Sequence, residues 1–145
     1  MDQTQHRPWH LWIVAPLAVV WMALSACDYL LVTLGAQDYL RQFSADQAAF
    51  FTGLEVQAKA LWATYVWAGV AGALGLLMSE AWAPLAFAVA FFAGLGQTSW
   101  LVLISDPSLI SVAGTLSAQI LIVSLAVVLM LWLYARGLRA SGVLV

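Results

Sequence analysis

The segment LWIVAPLAVVWMALSACDYLLVTL, from Leu11 to Leu34, decides the fold. It is longer than the roughly 20 apolar residues that carry an α-helix across a hydrocarbon layer about 30 Å thick. Asp28 is its only formal charge. Three further stretches share its character. They run from about Ala58 to Met78 with Lys59 at the mouth, from Trp82 to Ile104 with no charge, and from Leu109 to Tyr134 with Ser111, Ser117, Gln119 and Ser124 inside. None shows the sustained period-two alternation of a β-barrel strand, and helices are the other way to pair every backbone group in lipid. The fold class predicted is all-α: an integral membrane, antiparallel four-helix bundle forming one domain.

Composition agrees. Of 145 residues, 64% are hydrophobic and only 8% are charged, against about 25% charged in a soluble domain. A water-soluble globule is excluded, and the lipid bilayer is the first partner implied. The net charge of -2, with no basic run, lacks the electrostatic footprint of nucleic-acid binding. The single cysteine, Cys27, closes no intrachain disulfide and builds no zinc site alone.

The connections differ in length. Ser79-Glu80-Ala81 and Ser105-Asp106-Pro107-Ser108 are tight turns, and Pro84 and Pro107 suit the first turn of the helix that follows. Hairpins joined so tightly pack side by side. The segment from Gly35 to Gln57 is longer. Within it, Ser44 and Gln47 read as a capping box opening a short helix, with Phe50, Phe51 and Leu54 on one face. It is expected to lie on the outer interface between helices 1 and 2. Arg7, Arg136 and Arg139 fall on the side of both termini, Arg41 and Lys59 on the other, so the count favours cytoplasmic ends. Trp9, Trp12, Trp82, Trp132 and Tyr134 would form the inner aromatic belt, and Tyr39, Trp62 and Trp100 the outer one.

Leu24-Ser25-Ala26-Cys27 matches the bacterial lipobox, which would make Cys27 a lipidation site. The chain stays apolar from Tyr29 to Leu34, however, and Asp2 offsets Arg7 in the leading segment. A continuous transmembrane helix is the preferred reading.

Depth arithmetic singles out the polar residues. Asp28 lies about 9 Å from the outer end of its helix and Gln97 about 10 Å from the same side, at about 1.5 Å per residue. Lys59 enters from that side, and Ser111, Thr115, Ser117 and Gln119 descend from it along the fourth helix. A carboxylate at such depth costs a few kcal/mol unless it faces the bundle interior, a partner or water. Asp28, Tyr29, Lys59, Gln97 and Gln119 are therefore the candidates for a ligand or proton site in an outward-facing polar vestibule. The competing reading ties Asp28 to Lys59, Tyr29 or Gln97 as a structural pair.

Catalytic and metal chemistry find no constellation. His6 and His10 have helical metal spacing with Asp2 nearby but no third strong ligand. No serine has an intramembrane histidine as base, so no enzyme is predicted. No cofactor is implied either, since Gly69, Gly72 and Gly75 lie inside a span without the Lys-Ser/Thr ending of a phosphate loop. With Ala68 and Ala71 they form small-xxx-small pairs, as do Ala86, Ala90 and Gly94, and these faces are expected to meet within the hairpin.

Pro8-Trp9-His10-Leu11-Trp12, Asp28-Tyr29-Leu30 with Thr33, Tyr39, Phe43 and Gln47, then Ala60-Leu61-Trp62-Ala63 with Val66-Trp67, form a recognisable set. Together with Tyr134-Ala135-Arg136, Arg139 and Gly142-Val143-Leu144, they resemble an uncharacterised family of four-span bacterial inner-membrane proteins often labelled "sugar transporter". The resemblance covers nearly the whole chain and implies a transport-like role, with Asp28-Tyr29 the carry-over of interest. The family tends to have basic residues in the second turn, where Ser79-Glu80 stand here.

Two function classes follow. One is a small transport-like protein that binds or moves a small solute through the polar vestibule, with a homodimer giving more room for a pathway. The other is a non-catalytic accessory or assembly subunit packed against a larger membrane complex.

Overall fold

The computed structural model describes residues 7–145, all of whose regular elements are helical. In chain order these are α1 (Leu11–Thr33), α2 (Gln37–Leu40), α3 (Ala45–Thr52), α4 (Val56–Met78), α5 (Ala83–Ser99) and α6 (Leu109–Ala140). A π-helical turn, Trp100–Ile104, continues α5. The four long apolar helices α1, α4, α5 with its π turn, and α6 pack together, and each is long and apolar enough to cross a membrane. The chain is a small multi-pass membrane protein built as a four-helix bundle, with short helices between the first two spans.

The bundle is closed on three seams. Helix α4 packs against α1 and α5, and α5 against α6, whereas α1 and α6 barely touch. An apolar groove of about 380 Å³ runs along that open seam, between Leu17 and Leu24 of α1 and Val127 and Leu131 of α6.

Glycines set the closed seams. A Cβ on Gly69 would meet the Met22 side chain of α1, and one on Gly72 would stand 2.9 Å from the Phe87 ring of α5. Gly75 gives the same room to Trp82, and Gly94 to Tyr65. The small-residue faces of α4 and α5 meet within the hairpin as expected, and they do so mainly by making room for a large side chain of the opposite helix, with Gly75 also reaching Ala83. Lipid offers no hydrophobic drive for helix association, so this interdigitation supplies the attraction. Met22, Val66, Leu76, Phe87, Ala90 and Val128 are completely buried by it.

One end of the bundle is sewn shut. His10 Nδ1 lies 2.5 Å from the Tyr134 hydroxyl, and the Arg7 guanidinium donates to the Met78 carbonyl. Val145 pairs with the α4–α5 turn through its N–H to Ser79 O and its C=O from Ala81 N–H, both at 3.0 Å. The N-terminal segment, that turn and the C-terminal segment thus share one end, here termed the terminal end. Ser79 closes α4 in the left-handed region (φ +64) normally held by glycine.

The other end departs from the predicted elements in three places. The Gly35–Gln57 segment forms two short helices, and α3 packs onto both α1 and α6, roofing the bundle mouth rather than lying beside it. Its capping box forms as expected: Gln47 N–H donates to Ser44 Oγ, and Ser44 N–H to Gln47 Oε1, each at 3.2 Å. Pro107 stands before the N-cap Ser108 instead of inside the first helical turn. Helix α6 is broken near this end at Gly114, whose φ of 75° and ψ of 174° only glycine adopts freely, while at the terminal end it runs past Tyr134 to Ala140.

Candidate functional site: a polar chamber beneath the short helices

A broken helix and a π turn both leave backbone groups outside the regular ladder, which lipid does not tolerate unless the segment lines a cavity or is buried in protein. Both segments border a cavity at this end. It has two parts, of about 250 Å³ and about 120 Å³, which share Asp28, Trp62, Gln97, Ile120 and Leu121 as lining. The outer part is roofed by Phe43, Gln47 and Phe51 of the α2–α3 segment and walled by Leu101, Ala113 and Ser117. The inner part reaches Ser25, Tyr65, Gly94 and Ser124. Ser117 Oγ donates to the Ala113 carbonyl at 2.9 Å, covering an acceptor next to the Gly114 break. Ser105 does the same for the π turn, bonding the Leu101 carbonyl.

Asp28 faces this chamber from α1 and is half-buried. One carboxylate oxygen accepts a 2.5 Å hydrogen bond from the Tyr39 hydroxyl of α2, tying the roof to the first span. Burial, the hydrogen bond to Asp28 and the carboxylate's charge together push the Tyr39 phenol up from 10.0 to about 12. Tyr39 packs edge-on against Phe43, which continues to Phe51 and Phe50 as an aromatic chain under the roof.

Gln97 arrives from α5 and is only 5% exposed. Its carboxamide makes no hydrogen bond with any of the described residues. The Tyr65 hydroxyl, from α4, is buried and equally without a partner. An unpaired buried polar group costs about 1–3 kcal/mol, so the Tyr65 hydroxyl marks a place in the chamber where water or a ligand supplies the bond.

The other sequence candidates sit elsewhere. The Lys59 ammonium donates to the Thr52 carbonyl at 2.9 Å, capping the C-terminal turn of α3 where a cation suits the helix dipole. It therefore does not pair with Asp28. Tyr29 lies behind the chamber, its ring edge-on to Trp62 at 5.2 Å. Gln119 is exposed on α6, away from the Ser117, Leu121, Ser124 face that lines the cavity. Cys27 is exposed within an uninterrupted α1. His10 is engaged by Tyr134, His6 and Asp2 lie outside the described residues, and no metal-binding cluster occurs among the described ones.

Sequence reading missed Trp62, Tyr65 and Ser124 as lining and Tyr39 as the partner of Asp28. The signal was present in spacing: Trp62 and Tyr65 stand at i, i+3, and Ser117, Leu121 and Ser124 repeat at helical intervals. Comparison with models of known families, with curated proteins and with solved structures returns no match.

Proposed function

We propose that this protein is a transport-like component of the bacterial inner membrane that binds a small solute in the chamber beneath α2 and α3. The observation that carries the reading is convergence: the Asp28 carboxylate, the Gln97 amide and the buried, unpaired Tyr65 hydroxyl come from three different helices to one cavity. Asp28 anchors the solute, Gln97 and Tyr65 complete its hydrogen bonds, and Trp62 gives an apolar wall. With Arg7, Arg136 and Arg139 at the terminal end, the termini are cytoplasmic and the chamber faces outward. The resemblance to the "sugar transporter" family points the same way.

The test is a melting screen of the purified protein against a panel of small sugars, amines and amino acids, run in parallel on Asp28→Asn. Asn keeps an oxygen for Tyr39 to bond, so the fold is expected to survive. At least one solute class should raise the melting temperature of the native protein, with affinity falling about tenfold or more in the variant. A panel with no member that separates the two proteins contradicts the reading.

The second reading, an accessory subunit, draws on the exposed apolar flanks of α1 and α6, where Leu17, Leu24, Leu116 and Ile120 are all more than half exposed. Native purification with stoichiometric partners, and an Asp28→Asn variant indifferent to every solute, would favour it.

A further inference from the structure

The chamber's charge and its surroundings narrow the ligand class. Among the described residues, Asp28 is the only carboxylic acid lining it, and neither of its parts is lined by Lys or Arg. The two cations at this end are engaged elsewhere: Arg41, within the roof segment, pairs with Asp38 at 3.2 Å, and Lys59 donates to the Thr52 carbonyl. A phosphate or carboxylate brought into this cavity would meet the Asp28 carboxylate with no counter-charge. A cation is complementary to that carboxylate and to the faces of Trp62, Phe43 and Phe51. The same end of the bundle carries an open cleft of about 700 Å³ lined by Asp46, Glu55 and Asp106. Like-signed carboxylates on one face raise the local concentration of cations there.

The open seam supplies the second half of the argument. On α1 the chamber lining ends at Ser25, and the groove lining begins at Leu24 and Trp21 and continues to Leu17 and Val14. On α6 the chamber ends at Ser124 and Leu125, and the groove follows with Val127 and Leu131. On both helices the polar cavity therefore passes within one turn into an apolar channel. From Ser25 to Val14 that channel is about 16 Å long, at about 1.5 Å per residue. It opens sideways to lipid, because α1 and α6 barely touch.

We propose that the ligand is a phosphate-free, single-chain ammonium amphiphile, with its cationic head against Asp28 and its alkyl tail in the α1–α6 seam. This inference rests on the chamber reading above and adds to it the ligand's charge, its tail and its lateral route of entry from the bilayer. Phosphate-bearing lipid headgroups are disfavoured because the chamber offers their phosphate no cation.

The experiment uses the full chain in nanodiscs of zwitterionic lipid, with native mass spectrometry reading bound probe at concentrations below micelle formation. The probes are tetramethylammonium, dodecyltrimethylammonium, dodecylphosphocholine and dodecyl maltoside. Dodecyltrimethylammonium should bind one per chain, about tenfold or more tighter than each of the other three, and Asp28→Asn should abolish that preference. Val127→Phe should shrink the ratio between the two ammonium probes by narrowing the groove. Should that variant fail to fold, the probe series on the native chain still decides. Equal, Asp28-dependent binding of the two ammonium probes overturns the tail and the lateral route while leaving the chamber. Phosphocholine or maltoside binding as tightly as the ammonium amphiphile overturns the charge assignment. Absence of Asp28-dependent binding by every probe overturns the ammonium-amphiphile assignment, and the solute panel above separately decides the chamber reading.

Discussion

The two halves of the bundle use the same helices to opposite ends. Towards the terminal end, glycine steps on α4 admit Met22, Phe87 and Trp82, and hydrogen bonds sew the chain ends to the α4–α5 turn. Towards the other end the regular helix gives way to a π turn and to the Gly114 break, and a polar chamber takes the place of packed side chains. A cavity costs packing energy in a membrane protein, where packing is the main attraction between helices. The terminal half supplies the stability that permits the other half to stay open, and the open half carries the polar groups.

That contrast gives the largest expected effect at Gly72. Gly72→Leu drives a side chain into the Phe87 ring and should destabilise the bundle by about 3 kcal/mol. Thermal melting in detergent reads this directly, and a melting curve unchanged from the native protein would remove the close-packed half from the account. Gly114→Ala is the counterpart in the open half. Nothing lies within 4 Å of a Cβ there, so the penalty is conformational, of order 1–3 kcal/mol, and local. The loss of stability should be smaller than at Gly72, while binding of any solute that the chamber accepts should fall, because Ala113 and Ser117 on either side of the break line it. A Gly114→Ala protein that melts lower but binds normally would separate the break from the site.

The smallest effect concerns the roof. Tyr39 holds its proton up to about pH 12 in the folded protein, against 10.0 for a free phenol. A proton held more tightly in the folded state stabilises it fully below pH 10. That contribution fades as pH rises from 10 towards 12, when the phenolate can no longer donate to Asp28. The difference in near-ultraviolet phenolate absorbance between the native protein and Tyr39→Phe should therefore titrate near 12. A difference curve centred near 10 would mean that Tyr39 is neither buried under the roof nor bonded to Asp28.

How much of this was legible beforehand follows from what each feature depends on. The four spans and the short helix at Ser44 were readable because apolar length and a capping box are local signals. Depth arithmetic brought Asp28 and Gln97 to the same level, but level does not determine azimuth. Hence Gln119, at the same kind of depth, turned out to face outward while Ser117 and Ser124 face in. Lys59 was misread because a nearby carboxylate was weighed as its partner, when the free carbonyl ending α3 lay closer to hand. The Gly114 break had no visible mark, since a single glycine within an apolar run is common and only its tertiary setting selects the extended conformation.

Cysteine accessibility tests the central division most directly. In a Cys27→Ser background, Gln97→Cys and Ala73→Cys place a thiol in the chamber and in the packed half respectively, since Ala73 is completely buried. A small charged methanethiosulfonate reagent added from water should label the thiol at 97 and leave the one at 73 unreacted. Labelling at both positions alike, or none at 97 in a folded protein, would contradict a polar chamber confined to one half of the bundle.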